Sequence, residues 1–179
     1  TPKKTPLHNT LINTGARMVP FAGWEMPVQF SGLIEEHLAV RKHSGVFDIS
    51  HMGLLLLEGD KAKDGLQSLV PTDLYRIGPG ESCYSVLLNE NGGIIDDLII
   101  YDLGLNKENK EILLIVVNAS RTEKDTKWLQ KNLQQKGISI KDFKGNHTFL
   151  AIQGPKTLDI LEKITNHSLK NIPSFGHRR

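Results

Sequence analysis

The run Asn89-Glu90-Asn91-Gly92-Gly93-Ile94-Ile95-Asp96-Asp97-Leu98-Ile99-Ile100-Tyr101 constrains this chain more than any other stretch. A glycine turn leads directly into an apolar strand, and two adjacent carboxylates sit inside that strand. Successive strand side chains point to opposite faces. Asp96 and Asp97 therefore face opposite ways, and Asp97 shares its face with Ile99 and Tyr101. Where one face is core, one carboxylate is pushed toward it or into a cleft. A buried carboxylate without partners is costly, and its surroundings shift its pKa. Two readings stand side by side. Either one Asp is solvated and the other satisfied by backbone donors, or one of them is held for chemistry.

The strand fits into a longer order. From residue 53 the periodicity reads strand, helix, strand, strand, strand, helix, strand. Asp60 caps a short helix to about residue 69, and residues 82–88 form the strand before the glycine turn. Residues 111–117 form the next strand. Ser120 and Glu123 make a capping box for a helix to about residue 135, and Gly137 ends it before a strand at 138–143. This order predicts a ferredoxin-like βαββαβ unit with one added hairpin strand.

The flanks differ. A helical piece at 5–13 precedes a run containing Pro20, Gly23 and Pro27, which predicts two short extended pieces around an Ala22-Gly23 turn. Ser31 caps a helix over 32–43, with Glu35 and Glu36 in its first turns and Arg41, Lys42 and His43 in its last. Residues 46–50 and 148–153 read as strands, separated by a Lys144-Gly145-Asn146 turn from what precedes the second. Gly154-Pro155 opens a helix to about residue 164. The 148–153 strand needs partners, and the natural ones lie within 16–50. The expected organisation is therefore one domain from 1–52 plus 143–179, with 53–142 inserted in it. Residues 166–179 do not close a structure by themselves.

Composition removes several functions. The 22 basic and 20 acidic residues nearly balance, which argues against a dedicated nucleic-acid surface. No apolar run approaches a membrane span. The histidines form no close ligand pair, so no metal site is expected. Cys83 is the sole cysteine, so an intrachain disulfide is impossible and a reducing compartment is expected. In a strand, it reads as an inert thiol rather than a nucleophile. The first residues lack the apolar segment of a secretory signal. That fits a bacterial cytoplasm, and a processed mitochondrial form would look the same.

Several stretches together resemble the aminomethyltransferase (T-protein) family of the glycine cleavage system. They are Thr5-Pro6-Leu7, Phe21 to Pro27, Val40-Arg41-Lys42, Phe47 to Gly53, Tyr84-Ser85-Val86, Asn89 to Leu98, Val117-Asn118-Ala119, Glu123-Lys124-Asp125 and Gln153-Gly154-Pro155. Each is weak alone, but their joint order is specific. The resemblance implies an α+β chain in which the ferredoxin-like unit is inserted in a mixed antiparallel β/α folate-binding domain, incomplete here because members of that family are about twice as long.

The resemblance also implies an activity. An aminomethyl group carried on the lipoyl arm of the H-protein is accepted, ammonia is released, and tetrahydrofolate receives the one-carbon unit as 5,10-methylenetetrahydrofolate. Asp97 maps to the functional carboxylate. Met52, Tyr84, Asp97, Ile99, Tyr101 and Asn118 map to the folate pocket, and Asp96 is expected to be structural. The alternative is a non-catalytic folate-binding relative that assists iron–sulfur enzyme maturation. The transfer chemistry suits a lone carboxylate. Positive charge develops as carbon leaves sulfur, and a nearby anion stabilises it or orients a folate nitrogen.

Overall fold

The computed structural model describes residues 1–145 and 147–178. Asn146 of the expected 144–146 turn and Arg179 of the expected 143–179 segment lie outside them. In chain order the elements are β1 (Lys3–Lys4), α1 (His8–Asn13), β2 (Arg17–Phe21), β3 (Trp24–Gln29), α2 (Leu33–Lys42), β4 (Gly45–Asp48), β5 (Gly53–Gly59), α3 (Ala62–Gln67), β6 (Ser82–Leu88), β7 (Ile94–Leu105), β8 (Glu111–Val117), α4 (Thr122–Leu133), β9 (Ser139–Asp142), β10 (Leu150–Gln153) and α5 (Thr157–Thr165). The described residues are α+β with three sheets, and the chain divides into two compact units.

The first unit comprises residues 1–51 and 146–171. β2 and β3 form a hairpin about Ala22 and Gly23, which both have positive φ, and β1 adds parallel to β3. Proline removes ladder donors from β2 and β3, and this sheet stops at three strands. β10 pairs antiparallel with β4, matching Leu150 to Asp48 and Gln153 to Gly45. Helix α2 is not capped by Ser31. The backbone N–H groups of Phe30 and Gly32 instead donate to the Glu36 carboxylate at 2.7 and 2.9 Å, which lowers its pKa. A longer side chain reaching back over the first turn does the work expected of the serine. Among the described residues, α2 buries none of its side chains. A cavity of about 540 Å³ runs past Val28, Phe30, Leu33, Val40, Val46 and Phe47.

The second unit comprises residues 52–145 and 172–179. Its sheet has the order β6-β7-β8-β5-β9, antiparallel throughout. One face carries Leu55, Leu57, Leu98, Ile100, Leu113, Ile115 and Val117, packed with Ala62 and Leu66 of α3, Leu129 and Leu133 of α4, and Ile138. Alternation places Asp97, Ile99 and Tyr101 on the opposite face, as the strand period requires. The tail is not left idle. Phe175 O accepts from the Ser82 backbone at 2.8 Å, and His177 N donates to Gly80 O at 2.7 Å, so residues 172–178 fasten to the start of β6.

The expected caps fail here too. Lys61, rather than Asp60, is the residue before α3, and Arg121 the one before α4, neither with a side-chain capping bond. Glu123 instead pairs with Lys127 one turn on, at 2.6 Å.

Candidate functional site

The glycine turn before β7 is built by Asn89. Its Oδ1 accepts from the backbone N–H groups of Asn91 and Gly93, both at 2.9 Å, while Gly92 takes φ 76°. The Asn89 backbone closes the loop on Gly93 O at 2.8 Å. Side-chain acceptors of this kind substitute for turn hydrogen bonds and favour Asn at such corners. The turn sets the β6–β7 register, in which Tyr84 opposes Ile99 and Val86 opposes Asp97. Directly opposed residues share a face, so Tyr84, Asp97 and Ile99 lie together.

Asp97 is exposed and doubly held. Tyr84 Oη donates to its Oδ2 at 3.1 Å, and Asn118 Nδ2 donates to its Oδ1 at 2.9 Å. Tyr84 is 54% exposed. Its phenol is pushed above the ordinary tyrosine range, chiefly by the bond to Asp97, with burial and the charges of Asp97 and Asp96 adding. Each carboxylate oxygen of Asp97 still has lone-pair capacity for a further donor.

Asp96 points the other way and is 9% exposed. It accepts from the Asn118 backbone at 3.2 Å and from the Asn118 side chain at 2.9 Å. One amide group, just past the end of β8, therefore ties both carboxylates. Its two N–H bonds fix which way the carboxamide is turned. The backbone is steadied alongside: the Arg121 guanidinium donates to Ile95 O at 2.7 Å, and Thr122 Oγ1 donates to Asn118 O at 3.1 Å. Gly53 lets these elements close up, because a Cβ there would stand 2.5 Å from both Val117 Cγ2 and Thr122 Oγ1.

The remaining sequence candidates are placed less tightly. Met52 precedes the Gly53–Val117 pair, one step along the ladder on the Asn118 side. Tyr101 lies four residues from Asp97, about 13 Å along the strand. Its ring meets His177 edge-on at 5.5 Å, and burial raises its phenol pKa. Cys83 is half-buried, and burial pushes its thiol up, away from the reactive thiolate. No group of three His, Cys, Asp or Glu among the described residues could hold a metal ion. No described helix is long and apolar enough to cross a membrane.

Two residues escaped the sequence reading of the site. The sequence pattern does not mark Arg121, and it marks Asp125 only within Glu123-Lys124-Asp125. A signal for Asp125 was present: it precedes Leu129 and Leu133 at steps of four, so a carboxylate occupies the buried stripe of α4.

An exposed carboxylate clamped between a tyrosine and an asparagine, on the sheet face opposite the helices, makes this an α+β domain with a preformed polar site. Its structure matches that of the glycine cleavage system aminomethyltransferase T from Bartonella henselae with a TM-score of 0.84 and 36% identity, over 92% of this chain and 44% of that one. In sequence it is 60% identical over 175 residues to an aminomethyltransferase of Prochlorococcus marinus strain MIT 9303, covering 98% of this chain and 47% of that protein. It is 58% identical to one from Synechococcus sp. strain CC9311, covering 97% and 47%. Residues 7–179 match the GCVT N-terminal domain, and the chain belongs to that family. It spans about half the length of the curated relatives it matches.

Proposed function

We propose that this chain supplies the N-terminal part of a tetrahydrofolate-dependent aminomethyltransferase of glycine cleavage. In this reading a lipoyl-borne aminomethyl group comes from the H-protein, ammonia leaves, and 5,10-methylenetetrahydrofolate forms. The five-stranded unit is read as ferredoxin-like, since β9, β5, β8 and β7 follow its strand order and β6 adds one edge. Residues 53–142 are read as an insertion in a folate-binding domain. The cyanobacterial relatives suit a bacterial cytoplasm.

The observation that carries the proposal is the hold on Asp97. Tyr84 and Asn118 fix its carboxylate before any substrate arrives, leaving lone pairs free. The Tyr84 ring beside Ile99 offers a flat apolar support suited to a pterin, and Asp97 next to it suits pterin N–H donors. A preoriented anion also stabilises positive charge developing on the transferred carbon, without reorganising at the moment of reaction. Asp97 is thus the proposed catalytic group, with Tyr84, Ile99 and Asn118 beside it and Met52 and Tyr101 farther out in the folate site. Identity to aminomethyltransferases at 60% favours transfer over the non-catalytic folate-binding alternative.

The test is ammonia release from aminomethyl-loaded H-protein by the full-length protein, with and without tetrahydrofolate. The proposal expects strong stimulation by folate. Equal release in both conditions would overturn it.

A further inference from the structure

Asp125 is 0% exposed, within the helix stripe that also holds Leu129 and Leu133. Neither of its carboxyl oxygens has a hydrogen-bond partner among the described residues when the group is taken as ionised. Yet its carboxyl lies within hydrogen-bonding reach of Asp96. Two ionised carboxylates only accept, so no bond can form between them. Both charges would then be crowded into a low-dielectric interior, at high cost. A single proton resolves the conflict: the neutral acid on one side donates O–H to the carboxylate on the other.

The surrounding groups decide where that proton sits. Asp96 already accepts the Asn118 backbone and side-chain N–H groups, whereas the Asp125 oxygens meet no donor among the described residues. The guanidinium of Arg121, the residue just before that helix, is engaged with Ile95 O, and Arg121 and Lys124 only partly offset the loss of water around Asp125. Burial first, and Asp96 second, push Asp125 up to about 7.

We propose that Asp125 is a positioning residue that carries a proton and donates it to Asp96, fixing Asp96, through it Asn118, and through Asn118 the carboxylate of Asp97. The chain of bonds runs from Asp125 to Asp96, from Asn118 to both Asp96 and Asp97, and from Tyr84 to Asp97. Its consequence for turnover rests on the transferase reading, but the buried proton does not.

Infrared spectroscopy of the protein with labelled aspartate tests the proton directly. The parent should show a protonated-carboxyl C=O band at neutral pH, titrating near 7. The band should vanish in Asp125→Asn and persist in Asp97→Asn. In the full-length protein, Asp125→Asn keeps a donor toward Asp96 and should keep most of the transfer rate. Asp125→Leu has none and should lower kcat about tenfold, with little change in KM for tetrahydrofolate. An unchanged infrared spectrum in folded Asp125→Asn would overturn the proposal, even if Asp125→Leu failed to fold. Equal kcat in folded Asp125→Leu and parent would overturn the positioning role. Absence of transfer in the parent would sink the transferase reading and leave the infrared result to decide on the proton.

Discussion

The proton assigned to Asp125 has a thermodynamic consequence that Asp125→Asn should erase. A carboxyl at about 7 in the folded protein, against 3.8 as the ordinary value, binds more proton folded than unfolded between those limits. Stability from this group is therefore fully present below the unfolded value and is lost as pH rises through about 7. Full loss over that interval corresponds to roughly 4 kcal/mol at about 1.36 kcal/mol per pKa unit. The accessible part, between pH ~5 and pH ~8, comes to about 2.5 kcal/mol by the same linkage. Asp125 has no exposed surface, so solvent does not screen the effect away. Urea unfolding of parent and Asp125→Asn across this range gives the measurement. The stability of the parent relative to the variant should fall by that amount as pH rises, because other titrating groups cancel in the difference. Parallel curves would refute the reasoning, since Asp125 would then titrate alike in both states.

Three further outcomes follow from the packing. Lys63 Nζ donates to Asp102 at 2.6 Å and to Ile77 O at 2.9 Å, with Lys63 and Asp102 side chains only 14% and 7% exposed. Lys63→Met strands a buried carboxylate and should cost about 3 kcal/mol in urea unfolding, so a loss below ~1 kcal/mol would count against the pair. Gly154 has φ 130°, and a Cβ there would meet His43 O at 2.5 Å and Ser44 Cα at 2.7 Å. Gly154→Ala should destabilise the first unit by more than about 2 kcal/mol, read as earlier loss of amide protection in β4 and β10; unchanged protection would contradict the close approach. Tyr84→Phe removes an exposed hydrogen bond and should leave stability within about 0.5 kcal/mol. Its transfer rate should nevertheless fall, and an unchanged rate would remove Tyr84 from the site.

Much of this arrangement was legible because it rests on period two. The strands at 82–88 and 111–117 appear with the same bounds in the structure, and the split between Asp96 and Asp97 follows from alternation alone. An apolar strand lacking neighbours called for a partner within 16–50, and β10 pairs there with β4. Helix starts were misread. Short polar residues suggest caps, but Glu36 from inside α2 supplies the acceptor at its start, and α4 begins after Arg121 with no side-chain cap. The attachment of residues 172–178 was hidden because its bonds end on backbone oxygens, those from the Ser82 and His177 side chains included, and such acceptors leave no sequence pattern. Asp125 was hidden differently. A carboxylate in an apolar stripe looks like noise until the strand partner that accepts its proton is known. The hold of Asn118 on both carboxylates likewise depends on where β8 ends, which periodicity locates only to within a residue or two.

In the proposed function Asp97, clamped by Tyr84 and Asn118, is the carboxylate that serves aminomethyl transfer. The most direct measurement is turnover and tetrahydrofolate affinity of Asp97→Asn in the full-length protein. The replacement keeps size and polarity and removes only the charge. Most transfer should be lost while folate binding remains measurable. Near-normal turnover would contradict it.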